Sequence, residues 1–192
     1  PLVVVGAGLP HLPAVLSASK SYSERLFTYS RIGRLDRADA DTALLAPAER
    51  EDAAFDDDAL DGLYERSGGY PYFIQAYGKA AWDAAPTNPI GGRDVVVAAP
   101  EAEAELAVGF FGSRFERATP AEREYLRAMA ELSDGRDEPV VTSGIAEHLS
   151  RRASSLSPAR DSLLKKGLVF SAQRGQIAFT VPHFGRYLLT QT

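Results

Sequence analysis

The chain has 192 residues, no cysteine, three histidines and a net charge of −5, with 45% hydrophobic and 24% charged residues. That composition suits one large globular domain or two small ones, and the missing cysteines exclude disulfides, thiolate chemistry and cysteine-ligated zinc, which fits a reducing cytoplasm. No apolar run approaches a membrane span, no signal-peptide pattern is present, and His11, His148 and His183 are too scattered for a histidine metal site.

The chain opens on "PLVVVGAGLP". An unbroken β-branched run without polar alternation predicts a strand over residues 3–5, buried on both faces. Gly6-Ala7-Gly8 then invites comparison with a dinucleotide-binding turn, and the comparison fails on three counts. His11 holds the place of the third glycine. Leu9-Pro10 follows the second glycine where helix amides should point at a pyrophosphate. The acidic residue expected about 20 residues later, at the end of the next strand, is replaced by Arg31 and Ile32. A strand buried on both faces also needs parallel neighbours, and the sequence supplies at most one, so it begins partway through an α/β sheet.

Residues 12–26 read as a polar-faced helix, and "LFTYSRIGRLD" (26–36) as a second short strand turning out at Gly33. Two acidic helices follow. The first is capped by Asp36 or Asp39. The second has Asp56, Asp57 and Asp58 at its start, where the helix dipole favours them, and stops at Gly68-Gly69. "YPYFIQAYGKAAWDAA" is a third helix with Pro71 in its first turn, and "PTNPIGGRD" (86–94) is the clearest linker.

Residues 100–117 predict a helix with an apolar face of Leu106, Phe110, Phe111 and Phe115. "TPAEREYLRAMAEL" carries a full start signal, with Thr119 as N-cap, Pro120 at the first position and Glu122 closing a capping box. Leu126, Met129 and Leu132 form its predicted inner face. A short helix capped by Thr142 or Ser143 comes next, then one capped by Ser155 or Ser157 and stopped by Gly167. Two β-type runs joined through Arg174-Gly175 predict a hairpin. Three short helices followed by a hairpin are the order of a winged helix-turn-helix. Charge divides along the chain: residues 1–112 hold 9 Lys/Arg against 17 Asp/Glu, and residues 113–192 hold 12 against 9. Such asymmetry suggests two modules with different partners.

Taken together, "LVVVGAGLP", "ERLFTYSRIGRLD", "ERSGGYPYFIQAYGKAAWD" and "TPAEREYLRAMAEL…LLKKGLVF…QIAFTVPHFGRYL" resemble the C-terminal portion of a P-loop ATPase of the AAA+/STAND group. The resemblance is closest to bacterial and archaeal AAA-family ATPases related to the replication initiators, and it covers essentially the whole chain. It implies a mostly α fold with a small β component (α+β): a remnant of an α/β ATPase core at 1–35, a helical lid at 36–85, a linker at 86–99 and a winged helix-turn-helix at 100–192. Gly69-Tyr70-Pro71 matches the G-x-P of STAND lids, where the proline packs on adenine. Turn chemistry alone offers a plainer account of the same tripeptide, since Gly68-Gly69 ends one helix and Pro71 starts the next. Tyr70, Tyr72, Phe73 and Tyr77 are core candidates, and one of them could stack on the base.

The pattern also departs from the family. Gly6-Ala7-Gly8 stands where a polar sensor residue is common, and no sensor arginine precedes Lys79 in the third lid helix. Arg31 or Arg34 could meet a phosphate, although a solvated arginine beside a strand explains both. No G-x-x-x-x-G-K-[ST] loop is present, so nothing cradles phosphates or places magnesium. ATP and magnesium therefore belong to the full-length parent, with none held tightly by this chain, and no other catalytic motif appears. In the winged helix the helix after Arg151 and Arg152 would enter the major groove. Ser154, Ser155, Ser157, Arg160 and Lys165 would lie near the groove, with Arg174 at the wing tip. Leu156 and Leu163 would face the core. The partners implied are duplex DNA or, alternatively, other protein domains in an autoinhibitory role, or self-association through the truncated core; none is a membrane.

Overall fold

The computed structural model describes residues 2–8, 12–19, 22–30 and 32–191. The protein is mostly helical with one three-stranded antiparallel sheet, so it is α+β. It divides into two compact units, one of Gly33–Arg117 and one of Ala118–Thr192 grouped with Pro1–Ile32.

The N-terminal stretch departs from the sequence expectation. Residues 2–8 have no regular structure, with Val3 82% and Val5 90% exposed. Residues 27–30 are likewise irregular, and Ile32 is exposed. The predicted strands at 3–5 and 26–36 are therefore not strands here, and the sheet of an ATPase core is not found in this stretch. A lone β-prone run leaves its N–H and C=O groups unpaired, and no described residue pairs with it. The predicted helix over 12–26 is two helices, α1 (Leu12–Ser19) and α2 (Ser23–Leu26). Leu9, Pro10, His11 and Arg31 lie outside the described residues.

In the unit Gly33–Arg117, Asp36 caps α3 (Arg37–Glu49) by accepting the Asp39 N–H at 2.9 Å. Asp56 caps α4 (Asp57–Ser67) by accepting the Ala59 N–H at 2.7 Å, and α4 ends on left-handed Gly68. Pro71 opens α5 (Pro71–Ala84). Its buried residues, Phe73, Ile74, Tyr77, Gly78 and Ala81, recur at the spacing of one helical face. The following loop is fastened by Asn88, which accepts the Ala54 N–H and donates to the Asp52 carbonyl, both at 2.9 Å. Backbone pairing of Asp56 and Ala54 with Ile90 continues the same seam.

The segment read as a linker to residue 99 is helical from its seventh residue: α6 spans Gly92–Glu105. Asp94 accepts the Gly91 N–H to start it, and Val95, Ala98, Ala99 and Ala102 bury one face against α4 and α5. The helix passes through a π-helical segment, Leu106–Gly112, into α7 (Ser113–Glu116). Leu106, Phe110 and Phe111 thus complete the core of this unit.

In the second unit, α8 (Pro120–Leu132) begins with the predicted capping box. Thr119 accepts the Glu122 N–H, and Glu122 accepts the Thr119 N–H at 2.7 Å. The buried stripe runs Glu122, Leu126, Met129 and Ser133, which leaves Leu132 42% exposed rather than on the inner face. β1 (Val140–Val141) leads into α9 (Thr142–His148), whose N-cap is Val141, not Thr142 or Ser143. The Thr142 hydroxyl donates to the Gly175 carbonyl instead. Helix α10 (Ala153–Lys165) is capped at Arg152, three residues before the earlier of the expected caps. The Ser155 and Ser157 hydroxyls lie inside the helix and donate to the Arg152 and Ala153 carbonyls.

The predicted hairpin forms from β2 (Val169–Gln173) and β3 (Gln176–Phe179), with Val169 opposite Phe179 and Val140 of β1 opposite Ile177. Sheet order is β1-β3-β2. Residues 184–190, for which the sequence gives no signal, form α11 (Phe184–Thr190), burying Phe184 and Leu188 against α8.

Candidate functional site

The tripeptide at the α4–α5 junction is built by backbone geometry. Gly69 has φ +72°, and a Cβ there would lie 2.6 Å from the Leu35 carbonyl oxygen and 3.4 Å from Arg34 Cβ. Only glycine accepts both the angle and the approach. The Leu35 N–H donates to the Gly69 carbonyl at 2.8 Å, which brings the irregular segment before α3, and with it Arg34, beside the turn. Tyr70 is the N-cap of α5 and packs its ring on Phe73 at 4.9 Å. Pro71 is exposed.

Around this junction lies a set of rings centred on Phe110. Tyr72 stacks on Phe110 with centroids 4.8 Å apart and planes 19° from parallel. Phe73 and Phe111 meet Phe110 edge-on at 5.2 and 5.4 Å, and Phe110 itself is buried. The guanidinium of Arg114 lies 3.6 Å from the Phe110 ring centroid, and its Nη1 donates to the Phe110 carbonyl at 2.8 Å. Burial lowers the Arg114 pKa from its ordinary value. Of the four aromatic candidates at this junction, Phe73 and Tyr77 are core residues, Tyr70 is half-buried, and Tyr72 is 53% exposed. Arg114 escaped the sequence reading, although an arginine four residues after a phenylalanine in a helical stretch is the spacing at which a cation reaches a ring.

In the second unit the expected DNA-facing residues fall into two groups. Arg151 pairs with Glu124 at 3.1 Å, and Arg160 pairs with Asp161 at 3.0 Å. Arg152, Lys165 and Arg174 are exposed and have no carboxylate within ion-pair distance among the described residues. Arg152 and Lys165 mark the two ends of α10, and Arg174 stands in the β2–β3 turn. That turn is pinned: the Gly175 carbonyl accepts both the Thr142 N–H at 2.9 Å and the Thr142 hydroxyl at 3.2 Å. The structure therefore spreads these cations along one helix and one turn rather than gathering them into a cluster. Leu156 and Leu163 are buried. Among the described residues no cluster of three His, Asp or Glu side chains is arranged to hold a metal, and no helix is long and apolar enough to cross a membrane.

A family model described as a domain of unknown function, DUF8462, matches residues 108–188. No curated protein matches the chain. Among solved structures, the Holliday junction branch migration motor RuvB of Thermotoga maritima is similar at 20% identity with a TM-score of 0.38, covering 77% of this chain and 47% of that one. A point variant of the same protein aligns at 19% identity with a TM-score of 0.39, covering 77% and 46%. The chain spans about half the length of these structures.

Proposed function

We propose that this chain is the lid and winged-helix portion of a nucleotide-switched AAA+/STAND-type ATPase, and that its C-terminal unit binds duplex DNA. In this scheme Gly69, Tyr70 and Pro71 meet the nucleotide, with ATP and magnesium held by a parent protein that carries the phosphate loop. The resemblance of the sequence motifs supports the first half, and the exposure of Pro71 is compatible with a ligand there.

The DNA half is carried by one observation: α8, α9 and α10 followed by the β2–β3 hairpin present three exposed cations, Arg152, Lys165 and Arg174, with no carboxylate partner among the described residues. Helix α10 has 13 residues, hence is roughly 20 Å long, enough for cations at its ends to reach phosphates on both sides of a major groove about 12 Å wide. Arg152, Lys165 and Arg174 would supply these contacts, with Arg151 and Arg160 contributing only by leaving their present carboxylates. Ser155 and Ser157 donate to backbone carbonyls, so their hydroxyl oxygens are left to act as acceptors toward base edges.

A second reading, an interaction or autoinhibitory module without nucleic acid, is favoured by those same ion pairs of Arg151 and Arg160. The two separate in a salt titration on duplex DNA. Replacing Arg152 and Lys165 with alanine should weaken binding to all sequences alike and flatten the dependence of log K on log salt by roughly 0.9 per lost contact. Absence of binding at low salt, or binding indifferent to both substitutions, would leave the interaction module.

A further inference from the structure

We propose that the cleft between α3 and α5 is a docking site for a basic peptide segment, which seats one bulky apolar side chain beside Trp82 and lays its lysines or arginines on the carboxylates around the cleft. This surface takes no part in the nucleotide or DNA contacts proposed above.

The cleft follows from how the two helices meet. Gln75 ties α5 to α3 by donating to the Ala43 carbonyl at 3.1 Å. Beyond it, Leu44 sits against Gly78 so closely that a Cβ on Gly78 would lie 2.5 Å from Leu44 Cδ2. One turn further along each helix come Pro47 and Trp82, and with the buried Phe55 they help to line a cleft of about 230 Å³. Pro47 is exposed, and the Trp82 side chain is 38% exposed. Tryptophan is among the residue types that most often anchor a protein interface, because its large apolar surface gains most from being covered.

Size and charge together name the occupant. Pockets for drug-sized molecules run to about 300–1,000 Å³, whereas this cleft holds the volume of about eight waters, room for one large side chain. Two of its lining residues are charged, Glu51 and Lys79. Glu51 is exposed and has no ion-pair partner among the described residues. Lys79 is already held by Asp83 at 2.5 Å, and Glu101 and Glu105 of α6 act on the same ammonium. Glu51, Asp83, Glu101 and Glu105 thus stand around the cleft against Lys79, within a unit that holds 8 Lys/Arg against 17 Asp/Glu. Such a field attracts a cationic partner and repels a nucleic-acid strand. A second copy of this unit would set carboxylates against carboxylates. Glu101 and Glu105 belong to α6, outside the cleft itself, so the cations and the apolar anchor belong to an extended chain and not to one compact molecule.

The experiment titrates three capped pentapeptides into the whole chain at low salt: phenylalanine between two pairs of lysines, alanine in the same setting, and phenylalanine between two pairs of glutamates. Trp82, the single tryptophan, reports binding by fluorescence, and peptide-observed NMR gives the affinity for the variant that lacks it. The lysine–phenylalanine peptide should bind at least about tenfold tighter than either of the others. W82A should weaken it about tenfold, and E51Q about threefold. K79A should tighten it about threefold, since it removes the cation beside the cleft and frees Asp83, whereas a merely structural effect would weaken it. Urea unfolding followed by circular dichroism checks that each variant is folded. Equal binding of the alanine peptide would overturn the anchor, and equal binding of the glutamate peptide would overturn the charge basis of the site. Weaker binding by folded K79A, or no binding of any peptide at millimolar concentration, would overturn the site as a whole. Self-association of the chain that W82A abolishes, with no peptide bound, would overturn it in favour of a second copy.

Discussion

The C-terminal unit should be acid-labile through a single carboxylate. Glu122 is 2% exposed, accepts the Thr119 N–H at 2.7 Å and takes the Lys166 ammonium at 2.6 Å. Burial by itself would push this carboxyl up. Hydrogen bonds from Lys166, Ser162 and the Thr119 backbone outweigh burial and hold it at about 2, against an ordinary 4.5. A depressed value in the folded state means that folding favours the ionised form. Its stabilising contribution is therefore complete above pH 4.5 and is lost as pH falls from there through about 2. At 1.36 kcal/mol per unit the full contribution is about 3 kcal/mol. Glu122→Gln keeps shape and an acceptor but removes the charge that its three donors face, so it should cost about 2–3 kcal/mol at pH 7 and abolish this part of the acid sensitivity.

The chain offers a separate reporter for each unit. Met129, the single methionine, is buried in the unit that holds Glu122, and Trp82, the single tryptophan, belongs to the other. Urea titrations at pH 7, 5 and 2.5, read from a labelled Met129 methyl, would follow the right transition. The difference between E122Q and the unaltered chain should shrink from about 2–3 kcal/mol at pH 7 toward zero at pH 2.5. Equal losses in the two proteins between pH 5 and pH 2.5 would refute the linkage.

Gly69→Ala should lower stability by about 2 kcal/mol, because alanine meets both the positive φ and the Leu35 carbonyl; Trp82 fluorescence in urea measures it. Asn88→Ala removes both hydrogen bonds that fasten the α5–α6 loop to residues 52 and 54, for a loss of about 2 kcal/mol by the same assay. Leu163→Ala empties a fully buried position in α10 and should cost about 2–5 kcal/mol at the Met129 reporter, while leaving the Trp82 transition in place.

Features set by neighbours in sequence were legible in advance. Asp36, Asp56 and Thr119 cap their helices because a capping side chain needs only the next three residues, and Arg174-Gly175 turns the hairpin because Gly175 takes φ +77°. Features set by distant partners were not. Residues 3–5 have the propensity of a strand, and propensity without a paired neighbour makes none. Residues 92–99 looked like linker because Gly91-Gly92 and Pro100 punctuate them, yet Pro100 falls on the exposed side of α6, and the buried valine and alanines decide the outcome. Helix α11 depends on Phe184 and Leu188 meeting α8 more than fifty residues away in sequence. The ring set around Phe110 draws on α5 and on the π-helical segment together, and the sequence shows the two halves without showing that they meet.

The cationic residues show most sharply what folding adds to a charge count. Two basic doublets, Arg151-Arg152 and Lys165-Lys166, flank α10, and as sequence the members of each pair are equivalent. In the folded unit they are not. Arg151 pairs with Glu124 and Lys166 with the buried Glu122, so one member of each doublet ties α10 or its approach to α8. Arg152 and Lys165 point their charge to solvent with no carboxylate to answer it. The structural member and the available member are adjacent in both cases, at opposite ends of the same helix. A substitution in the first member tests the stability of the unit, and a substitution in the second tests what the unit binds. That is why Arg152 and Lys165, rather than their neighbours, are the pair whose removal tests the proposed DNA binding while leaving the fold intact.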